Sequence, residues 1–344
     1  MTHRQHPLGT GFTAASTADE VLKGIDLSGT NVVITGGSAG LGLETTRALS
    51  GAGASVTVGA RDPGRAAAAL AGIERVEIDR LDLLDPASID AFAARYLDSG
   101  RPLHVLINNA GGSTGGRVVD ARGYESTFAT NHLGHFQLAL GLRPALRAAH
   151  GARVVNVSSG AHRLCDIRWD DPHFTTGFEG HMAYGQSKTA NVLFAVELDR
   201  RWSGDGIRGY ALHPGIVVAT TLAHLSPEPA GGGRKSVPGL FDEDQLRAQR
   251  LIDDAGRPII DPDREKKTPQ QGAATIVFAA AGPQLAGIGG VYLKNSDIAP
   301  LNDTTSVTTL VGDEQVVVTD VAPHAIDPAS ARRLWELSEQ LLKA

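Results

Sequence analysis

Short, continuous apolar runs alternate along the chain with longer stretches in which apolar residues recur at helical spacing. Such runs are typical of strands buried on both faces of a parallel sheet, and a spacing of three to four residues is typical of amphipathic helices. The predicted strands are NVVIT (31–35), ASVTVGA (54–60), VEIDRLD (76–82), LHVLINNA (103–110), RVVNVSS (153–159), GIRGYALHPG (206–215) and GGVYL (289–293). The predicted helices lie within 17–27, 43–53, 66–70, 86–97, 124–150, 183–202 and 269–281, and a last one begins after Asp327 and Pro328.

This alternation predicts βαβ units with right-handed crossovers, and hence an α/β fold with a doubly wound parallel sheet between two layers of helices. The 344 residues suffice for one large domain or two small ones, and the unbroken rhythm favours a single domain over 29–344 after an N-terminal extension over 1–28. The rhythm fails between 221 and 268, where Pro and Gly cluster. An insertion of this length predicts a substrate lid, with disorder as the alternative.

Composition and charge narrow the class of protein. Lys and Arg total 32 against 38 Asp and Glu, and the resulting net charge of −6 disfavours nucleic acid as a partner. The single cysteine, Cys165, excludes an intramolecular disulfide and a thiolate metal cluster, and it fits a reducing compartment. The sequence has no recognisable signal peptide and no apolar run long enough for a membrane span, so we expect a cytoplasmic protein.

A glycine-rich segment, TGGSAGLG over 35–42, lies between the first predicted strand and the helix after it. In this context glycines let the main chain turn tightly and approach a pyrophosphate, whose charge is met by N–H groups and by the positive end of the helix dipole. The motif alone predicts a nucleotide site, and a dinucleotide, another nucleotide or S-adenosylmethionine stay open. A P-loop is excluded because no Gly-Lys-Ser/Thr follows.

Tyr184 and Lys188 are four positions apart in a predicted helix, so both side chains lie on one face. A free tyrosine has a pKa of about 10 and is a poor acid or base at neutral pH, whereas a nearby ammonium stabilises the phenolate and lowers that pKa. The spacing therefore predicts a proton-transfer pair. A solvated helix pair is the alternative.

Five motifs occur in a fixed order: TGGSAGLG (35–42), NNAG (108–111), Asn131, SS (158–159) with YGQSK (184–188), and HPG (213–215). In this order they resemble the short-chain dehydrogenase/reductase family. The segments VVNVSSGAHR, YGQSKTANVLFAVEL and KTPQQGA resemble more narrowly the retinol dehydrogenase and WW-domain oxidoreductase-like subgroup. The resemblance implies a Rossmann-type fold and hydride transfer between a nicotinamide cofactor and a carbonyl or alcohol.

The resemblance also assigns the catalytic residues. Tyr184 would be the general acid in reduction, and Lys188 would be its partner and a ligand of the nicotinamide ribose. Ser159 would polarise the substrate oxygen, with Ser158 as the second candidate, and Asn131 would hold a water that relays protons. The gap between Ser159 and Tyr184 is longer than is usual in the family, and its additional residues would shape the pocket wall. They include Trp169, His173 and Phe174.

The cofactor-binding residues follow from the same resemblance, with Asn109 expected to be structural. They are Gly36, Ser38, Ala39, Gly40, Leu41, Gly42, Asp82, Leu83, Asn108, Ala110, Gly111, Asn131, Tyr184, Lys188, Pro214, Gly215 and Val217.

The end of the second predicted strand predicts a preference for NADP(H). A fold that selects NAD carries an acid about 20 residues beyond the glycine turn, and Ala60 stands at that place. Arg61 follows where NADP-dependent members of the family carry a basic residue, and its planar guanidinium suits a phosphate; Arg65 can assist. NAD(H) is the alternative, with Asp62 as the acid one position later.

Two other functions stay open on the same fold: a catalytically idle dinucleotide sensor or interaction protein, and a sugar-nucleotide epimerase. The intact set of catalytic candidates favours the enzyme. His132 and His135 lack a third ligand, so we expect them to pack or hydrogen-bond locally and predict no metal site. We expect a small, hydrophobic carbonyl or alcohol substrate; a homo-oligomer is compatible with the sequence.

Overall fold

The computed structural model describes residues 5–114, 116–217, 243–248, 250–306, 308–311 and 314–343. Its centre is an eight-stranded sheet in the order β3-β2-β1-β4-β5-β6-β7-β8. All neighbours are parallel except β7 and β8, which are antiparallel. The strands are β1 Asn31–Thr35, β2 Ser55–Ala60, β3 Val76–Arg80, β4 Val105–Asn108, β5 Arg153–Val157, β6 Arg208–His213, β7 Val291–Lys294 and β8 Asp297–Ile298. This confirms the predicted doubly wound α/β fold, and all seven predicted strands are present.

Helices cover both faces of the sheet because successive strand residues point to opposite sides. Val32 and Ile34 of β1 pack into one hydrophobic cluster, and Val33 between them packs into another. The helices are α1 Ala18–Val21, α2 Gly40–Gly51, α3 Pro63–Ala69, α4 Pro86–Asp98, α5 Ser126–Phe128, α6 Gly134–Ala148, α7 Gly180–Trp202, α8 Glu243–Ala248, α9 Pro269–Ala281 and α10 Pro328–Leu341. No helix in the described ranges is long and apolar enough to cross a membrane.

The helix predicted over 124–150 is interrupted. Between α5 and α6 the chain forms a π-helical turn over Ala129–Leu133, which contains Asn131. A π turn inserts one extra residue into the helix and is frequent at functional sites. The interruption has no counterpart in the periodicity of the sequence, and Asn131 within it pairs with residues distant in sequence, described below.

The N-terminal segment packs against the sheet edge. The buried Gln5 side chain donates to the carbonyls of Tyr292 at 2.8 Å and Ala299 at 2.6 Å, and it accepts from the Tyr292 N–H at 3.1 Å. The carboxylate of Asp297 accepts from the backbone N–H groups of residues 8 and 9. The described part of the predicted extension thus serves as an edge cover for β7 and β8.

The predicted insertion over 221–268 is only partly described, since 221–242 lie outside the described residues. Its second half carries α8 and a small cluster in which Leu246, Leu251 and Ile252 pack against Ile216. A parallel bridge between Ile216 and Lys266 returns the chain to the segment that follows β6. The second half is therefore fixed to the chain directly after β6.

A two-stranded antiparallel hairpin, β9 Thr308–Val311 and β10 Glu314–Val317, precedes α10.

Candidate active site

The glycine-rich turn joins β1 to α2 in a form suited to a phosphate. Gly36 and Gly40 have φ of +65° and +52°, a region that favours glycine. A Cβ at Gly42 would meet the Gly36 carbonyl and lie 2.6 Å from Asn109 Nδ2, so only glycine allows this close packing. Ala39, the N-cap residue just before α2, makes no side-chain cap, which leaves the first N–H groups of this 12-residue helix for an anion.

A buried hydrogen-bond chain connects this turn to the π turn. Thr35 Oγ1 accepts from the N–H groups of Asn109 at 3.0 Å and Ala110 at 2.9 Å, and it lies 2.8 Å from His135 Nε2. His135 Nδ1 lies 3.1 Å from the carbonyl of Asn131. Since a carbonyl only accepts, Nδ1 carries the ring proton and Nε2 accepts from Thr35. His135 thus hydrogen-bonds within the fold, as predicted, and it ties the ends of β1 and β4 to Asn131.

The Asn131 side chain pairs with both polar groups of one residue in the loop after β4. Its Oδ1 accepts from the Gly112 N–H at 3.1 Å, and its Nδ2 donates to the Gly112 carbonyl at 2.9 Å and to Ser187 Oγ at 2.9 Å. A Cβ on Gly111 would lie 2.8 Å from Asn131 Oδ1 and 3.4 Å from Lys188 Nζ. Asn131, Gly111 and Lys188 therefore meet at one place.

Lys188 and Tyr184 project from α7 toward the carboxyl ends of the central strands. Lys188 Nζ donates to the Val157 carbonyl at 3.0 Å, using one of its three donors, and lies 5.4 Å from the centroid of the Tyr184 ring. Burial lowers the pKa of Lys188 to about 8. Burial also raises the pKa of Tyr184, opposed by a hydrogen bond with Ser159.

The prediction that Lys188 lowers the pKa of Tyr184 is therefore wrong for the protein alone. Burial acts against the charged form of both groups, the phenolate and the ammonium, and at Tyr184 it outweighs the lowering effect of the Ser159 hydrogen bond. Tyr184 is consequently protonated at neutral pH.

The two serines after β5 differ in their hydrogen bonds. Ser158 is buried, and its hydroxyl donates to the Lys188 carbonyl at 2.8 Å. Ser159 is only partly buried, and its Oγ accepts from the Ala161 N–H at 3.2 Å, which leaves its hydroxyl proton to donate elsewhere. Ser159 is the serine whose hydroxyl can reach a ligand.

The remaining predicted cofactor residues lie at the carboxyl ends of the strands, with one difference for Asn108. Its side chain is buried and donates to Asn156 on β5 at 2.8 Å, so Asn108 can reach the site only through its main chain. Asn109, predicted to be structural, donates to the Thr35 carbonyl at 2.9 Å. Asp82 Oδ1 accepts from the Leu84 N–H at 3.1 Å.

Leu41 and Val217 face each other across the first turn of α9. A Cβ on Gly272 would lie 2.6 Å from a methyl group of each and 3.4 Å from the Pro214 carbonyl. Gly215 has φ of +93° and packs on the aliphatic stem of Lys267, whose carbon Cδ would lie 2.5 Å from a Cβ there. Leu41 of the glycine turn and Pro214 and Val217 of the segment after β6 thus lie beside the same turn of α9.

Three arginines, Arg61, Arg65 and Arg80, lie at the carboxyl ends of β2 and β3. Arg61 and Arg65 are exposed, and Arg80, which sequence reasoning missed, pairs in register with Ala60 and donates to the Arg61 carbonyl at 3.3 Å. No ion pair joins any of the three to a carboxylate within the described ranges. Asp62 is the N-cap residue just before α3, and its carboxylate accepts from the Arg65 N–H at 3.0 Å.

The aromatic residues of the long gap between Ser159 and Tyr184 make their contacts with the core. The His173 ring stacks on Tyr124 with centroids 4.5 Å apart, and Phe174 is buried beside Arg168. Trp169 packs against a hydrophobic cluster that includes residues of α5, the π turn, α7 and α10. These contacts fix the insertion to the helices.

Two functional candidates had no local signal in the sequence. His162 and His213 are both buried and hydrogen-bond to the main chain beside Ser159. Only the HPG and SSGAHR motifs contained them, and nothing in those motifs showed that the two rings meet at one peptide.

Sheet order and glycine turn together define a Rossmann-like α/β protein. A sequence profile described as short chain dehydrogenase matches residues 30–230. The chain belongs to the short-chain dehydrogenase/reductase family, and it is an oxidoreductase of that family.

Relatives and solved structures agree with this assignment. A Streptomyces lividans protein described as "Probable oxidoreductase" is 42% identical over 327 residues, covering 93% of this chain and 100% of that protein. The WW domain-containing oxidoreductase of Danio rerio is 34% identical over 339 residues, covering 94% of this chain and 71% of that protein. An uncharacterized protein from Mycobacterium Paratuberculosis has a TM-score of 0.66 at 30% identity, with 97% of this chain and 98% of that chain covered. The RhlG/NADP active-site complex of Pseudomonas aeruginosa has a TM-score of 0.56 at 25% identity, with 78% and 95% covered.

Proposed function

We propose that this oxidoreductase transfers hydride between NADP(H) and the carbon of a carbonyl or alcohol, with Tyr184 as the general acid and base. The proposal rests on the closeness of three residues at the carboxyl ends of β4 and β5. Tyr184 is a proton donor, Lys188 is a cation, and Asn131 holds the main chain of the loop after β4. Crevices outside the carboxyl ends of strands are where open α/β sheets bind ligands. The nicotinamide, when bound, supplies or accepts the hydride.

In reduction, Tyr184 gives its proton to the substrate oxygen as negative charge develops there. Its raised pKa keeps the phenol protonated at neutral pH, which suits the donor role. Ser159 donates its hydroxyl hydrogen to the same oxygen and withdraws charge from the carbonyl. In oxidation the phenol must first lose its proton, so the rate of oxidation increases as the pH rises.

Lys188 and Asn131 prepare this proton transfer. Two of the three N–H donors of Lys188 are not used by Val157 and can bind ribose hydroxyls. Hydrogen bonds to a bound ligand offset part of the free energy lost on burial, and so favour the charged form of Lys188. Asn131 holds the loop at Gly112 and the hydroxyl of Ser187, which in turn donates to the Tyr184 carbonyl at 2.7 Å. The Asn131 amide thus links the loop after β4 to α7.

The residues present fit a dinucleotide. The uncapped start of α2 suits a pyrophosphate, and the arginines at the ends of β2 and β3 suit a 2′-phosphate. Asp62, the acid that would favour NAD(H), is engaged as the cap of α3. The RhlG structure, which is an NADP complex, is similar in fold and supports the same cofactor.

The test is Tyr184→Phe, which keeps the ring and removes the proton. We expect turnover with a panel of aldehydes and ketones to fall at least a hundredfold, and cofactor affinity to stay within a fewfold, because general acid catalysis contributes roughly 10²–10⁴ in rate. The matched control is Tyr96→Phe, whose hydroxyl lies 3.4 Å from the Pro102 carbonyl, away from the site.

A Tyr184→Phe enzyme that keeps more than a tenth of normal turnover would contradict the assigned role. A wild-type protein that binds NADPH and never oxidises it with any carbonyl tested would instead support the idle dinucleotide sensor.

A further inference from the structure

A single peptide group, between Ser159 and Gly160, is held from opposite sides by two buried imidazoles. His162 Nδ1 lies 2.7 Å from the Ser159 carbonyl oxygen. The Gly160 N–H donates to His213 Nδ1 at 3.0 Å. Both rings are buried, so neither bond exchanges readily with water.

The two bonds require opposite tautomers. A carbonyl only accepts, so His162 must carry its proton on Nδ1, and its Nε2 then accepts from the Ala322 N–H at 3.1 Å. An N–H only donates, so His213 Nδ1 must be unprotonated and the proton of the neutral ring lies on Nε2. Burial lowers the pKa of His162 to about 3 and that of His213 to about 4, so both rings are neutral at physiological pH.

The two histidines are in turn held by distant parts of the chain, His162 through its ring and its carbonyl group and His213 through its main chain. The His162 ring lies 4.9 Å from the Tyr292 ring, centroid to centroid, and the His162 carbonyl accepts from Thr189 Oγ1 at 2.8 Å and from His324 Nε2 at 2.9 Å. His213 ends β6 and pairs in register with Lys294 of β7. The peptide is therefore braced against the sheet on one side and against the segment before α10 on the other.

The direction of this peptide decides where the Ser159 hydroxyl points. Ser159 Oγ is oriented by the Ala161 N–H, one residue beyond the held peptide. A rotation of the peptide plane changes ψ of Ser159 and φ of Gly160, and it would move the Ala161 N–H away from Oγ. Glycine at position 160 offers little resistance to such a rotation.

We infer that His162 and His213 are positioning residues that lock the Ser159–Gly160 peptide and so aim the Ser159 hydroxyl at the substrate oxygen. This inference rests on the proposed role of Ser159. Neither ring touches the reacting atoms; each acts through the main chain.

The first experiment needs no activity. Long-range ¹H–¹⁵N NMR of the imidazole rings in the wild-type protein distinguishes the two tautomers, with resonances assigned by His162→Asn and His213→Asn. We expect the Nδ1-protonated form for His162 and the Nε2-protonated form for His213 at pH 7. Two rings in the same tautomer, or a charged ring, would overturn the inference whatever the enzyme's activity.

The second experiment separates positioning from packing. An Asn amide can mimic the donor that His162 provides at Nδ1, or the acceptor that His213 provides there, whereas Leu provides neither. We expect His162→Leu and His213→Leu to lower kcat by roughly tenfold to a hundredfold, less than the loss of a direct oxyanion donor. The Asn variants should recover most of kcat, and KM for NADPH should stay unchanged in all four.

A double-mutant cycle with Ser159→Ala completes the test. Once the Ser159 hydroxyl is absent, the His162→Leu and His213→Leu substitutions should lower kcat less than twofold further, because their effect passes through Ser159. An undiminished loss in the Ser159→Ala background would refute positioning through Ser159 and leave the role of Tyr184 standing. His132→Leu, a buried ring bonded to Ser338 on α10, reports the general cost of losing a buried histidine.

Discussion

At the corner where β2 and β3 end, Arg61, Arg65 and Arg80 concentrate positive charge with no carboxylate paired to any of them in the described part of the chain. Like charges held close together repel one another, and an arrangement of this kind is relieved by an anion. Of the two carboxylates adjacent to these arginines in sequence, Asp62 has one oxygen engaged by the Arg65 N–H, and Asp79 pairs with Arg95. These three side chains are thus available to an anion, such as the 2′-phosphate of the proposed cofactor NADP(H).

Arg61→Ala is expected to weaken NADPH by about 1.5–3 kcal/mol, the cost of a lost charged hydrogen bond, and to leave NADH nearly unchanged. Fluorescence titration of both cofactors against wild type and variant measures the difference. Arg101→Ala is the matched control, because Arg101 pairs with Glu77 away from this corner. Equal affinities of the wild type for both cofactors, or equal losses after the substitution, would show that this corner does not read the 2′-phosphate.

At the scale of the elements, the segment from α8 to Lys267 contacts the chain directly after β6. Its residues run beside Ile216, with the Ile216 N–H donating to the Glu265 carbonyl at 2.7 Å and the Lys267 N–H donating to the Ile216 carbonyl at 2.9 Å. Its small apolar cluster buries Leu246, Leu251 and Ile252 against the same residue. The insertion is therefore coupled to the segment in which Gly215 and Val217 are expected to meet the nicotinamide.

Loosening this cluster should change how substrate binds while the cofactor is little affected. We expect the double variant Leu246→Ala and Ile252→Ala to raise KM for carbonyl substrates several-fold, since a lid that closes less well admits water and holds the substrate less firmly. The Kd for NADPH should stay within twofold. Unchanged steady-state constants across several substrates would mean that the insertion is a surface feature without a lid function.

On the scale of the whole molecule, we expect four buried histidines to make the fold sensitive to acid. Burial lowers the pKa to about 3 for His132 and His162 and to about 4 for His135 and His213. In the unfolded chain each ring takes up a proton near pH 6.5. Below that pH the unfolded state binds more protons than the folded state, so stability falls as the pH falls toward the folded-state values.

The expected loss is large. At pH 5.5 each ring costs about 1.4 kcal/mol of unfolding free energy, and the four together cost on the order of 5 kcal/mol, a large share of the usual 5–15 kcal/mol. Urea unfolding at pH 7.5, 6.5 and 5.5 measures it. His132→Gln, which can still reach Ser338, should reduce the loss of unfolding free energy by the share of one ring. The same substitution type at an exposed position, His150→Asn, should leave the loss unchanged. An unfolding free energy that stays constant over this range would contradict the neutral, buried state of these rings.

The sequence by itself determined the order of strands and helices, the parallel sheet, the glycine turn and the common face of Tyr184 and Lys188. These properties depend on local periodicity, on glycine's conformational freedom and on a spacing of four within one helix, all of which act over a few residues. The same locality explains why Asp327 and Pro328 marked the start of α10, where the Asp327 carboxylate accepts from the Ser330 N–H at 2.7 Å.

Only the tertiary structure decided which charged groups and which hydrogen-bonding groups lie next to each other. Gly160 and His213 are separated by 53 positions, and Asn131 and Ser187 by 56, so no local pattern joins them. Burial in turn reversed the expected shift of the Tyr184 pKa, because the free energy of removing a charge from water depends on the surrounding packing. The place of Arg80 beside Arg61 was decided in the same way, by the pairing of β2 with β3.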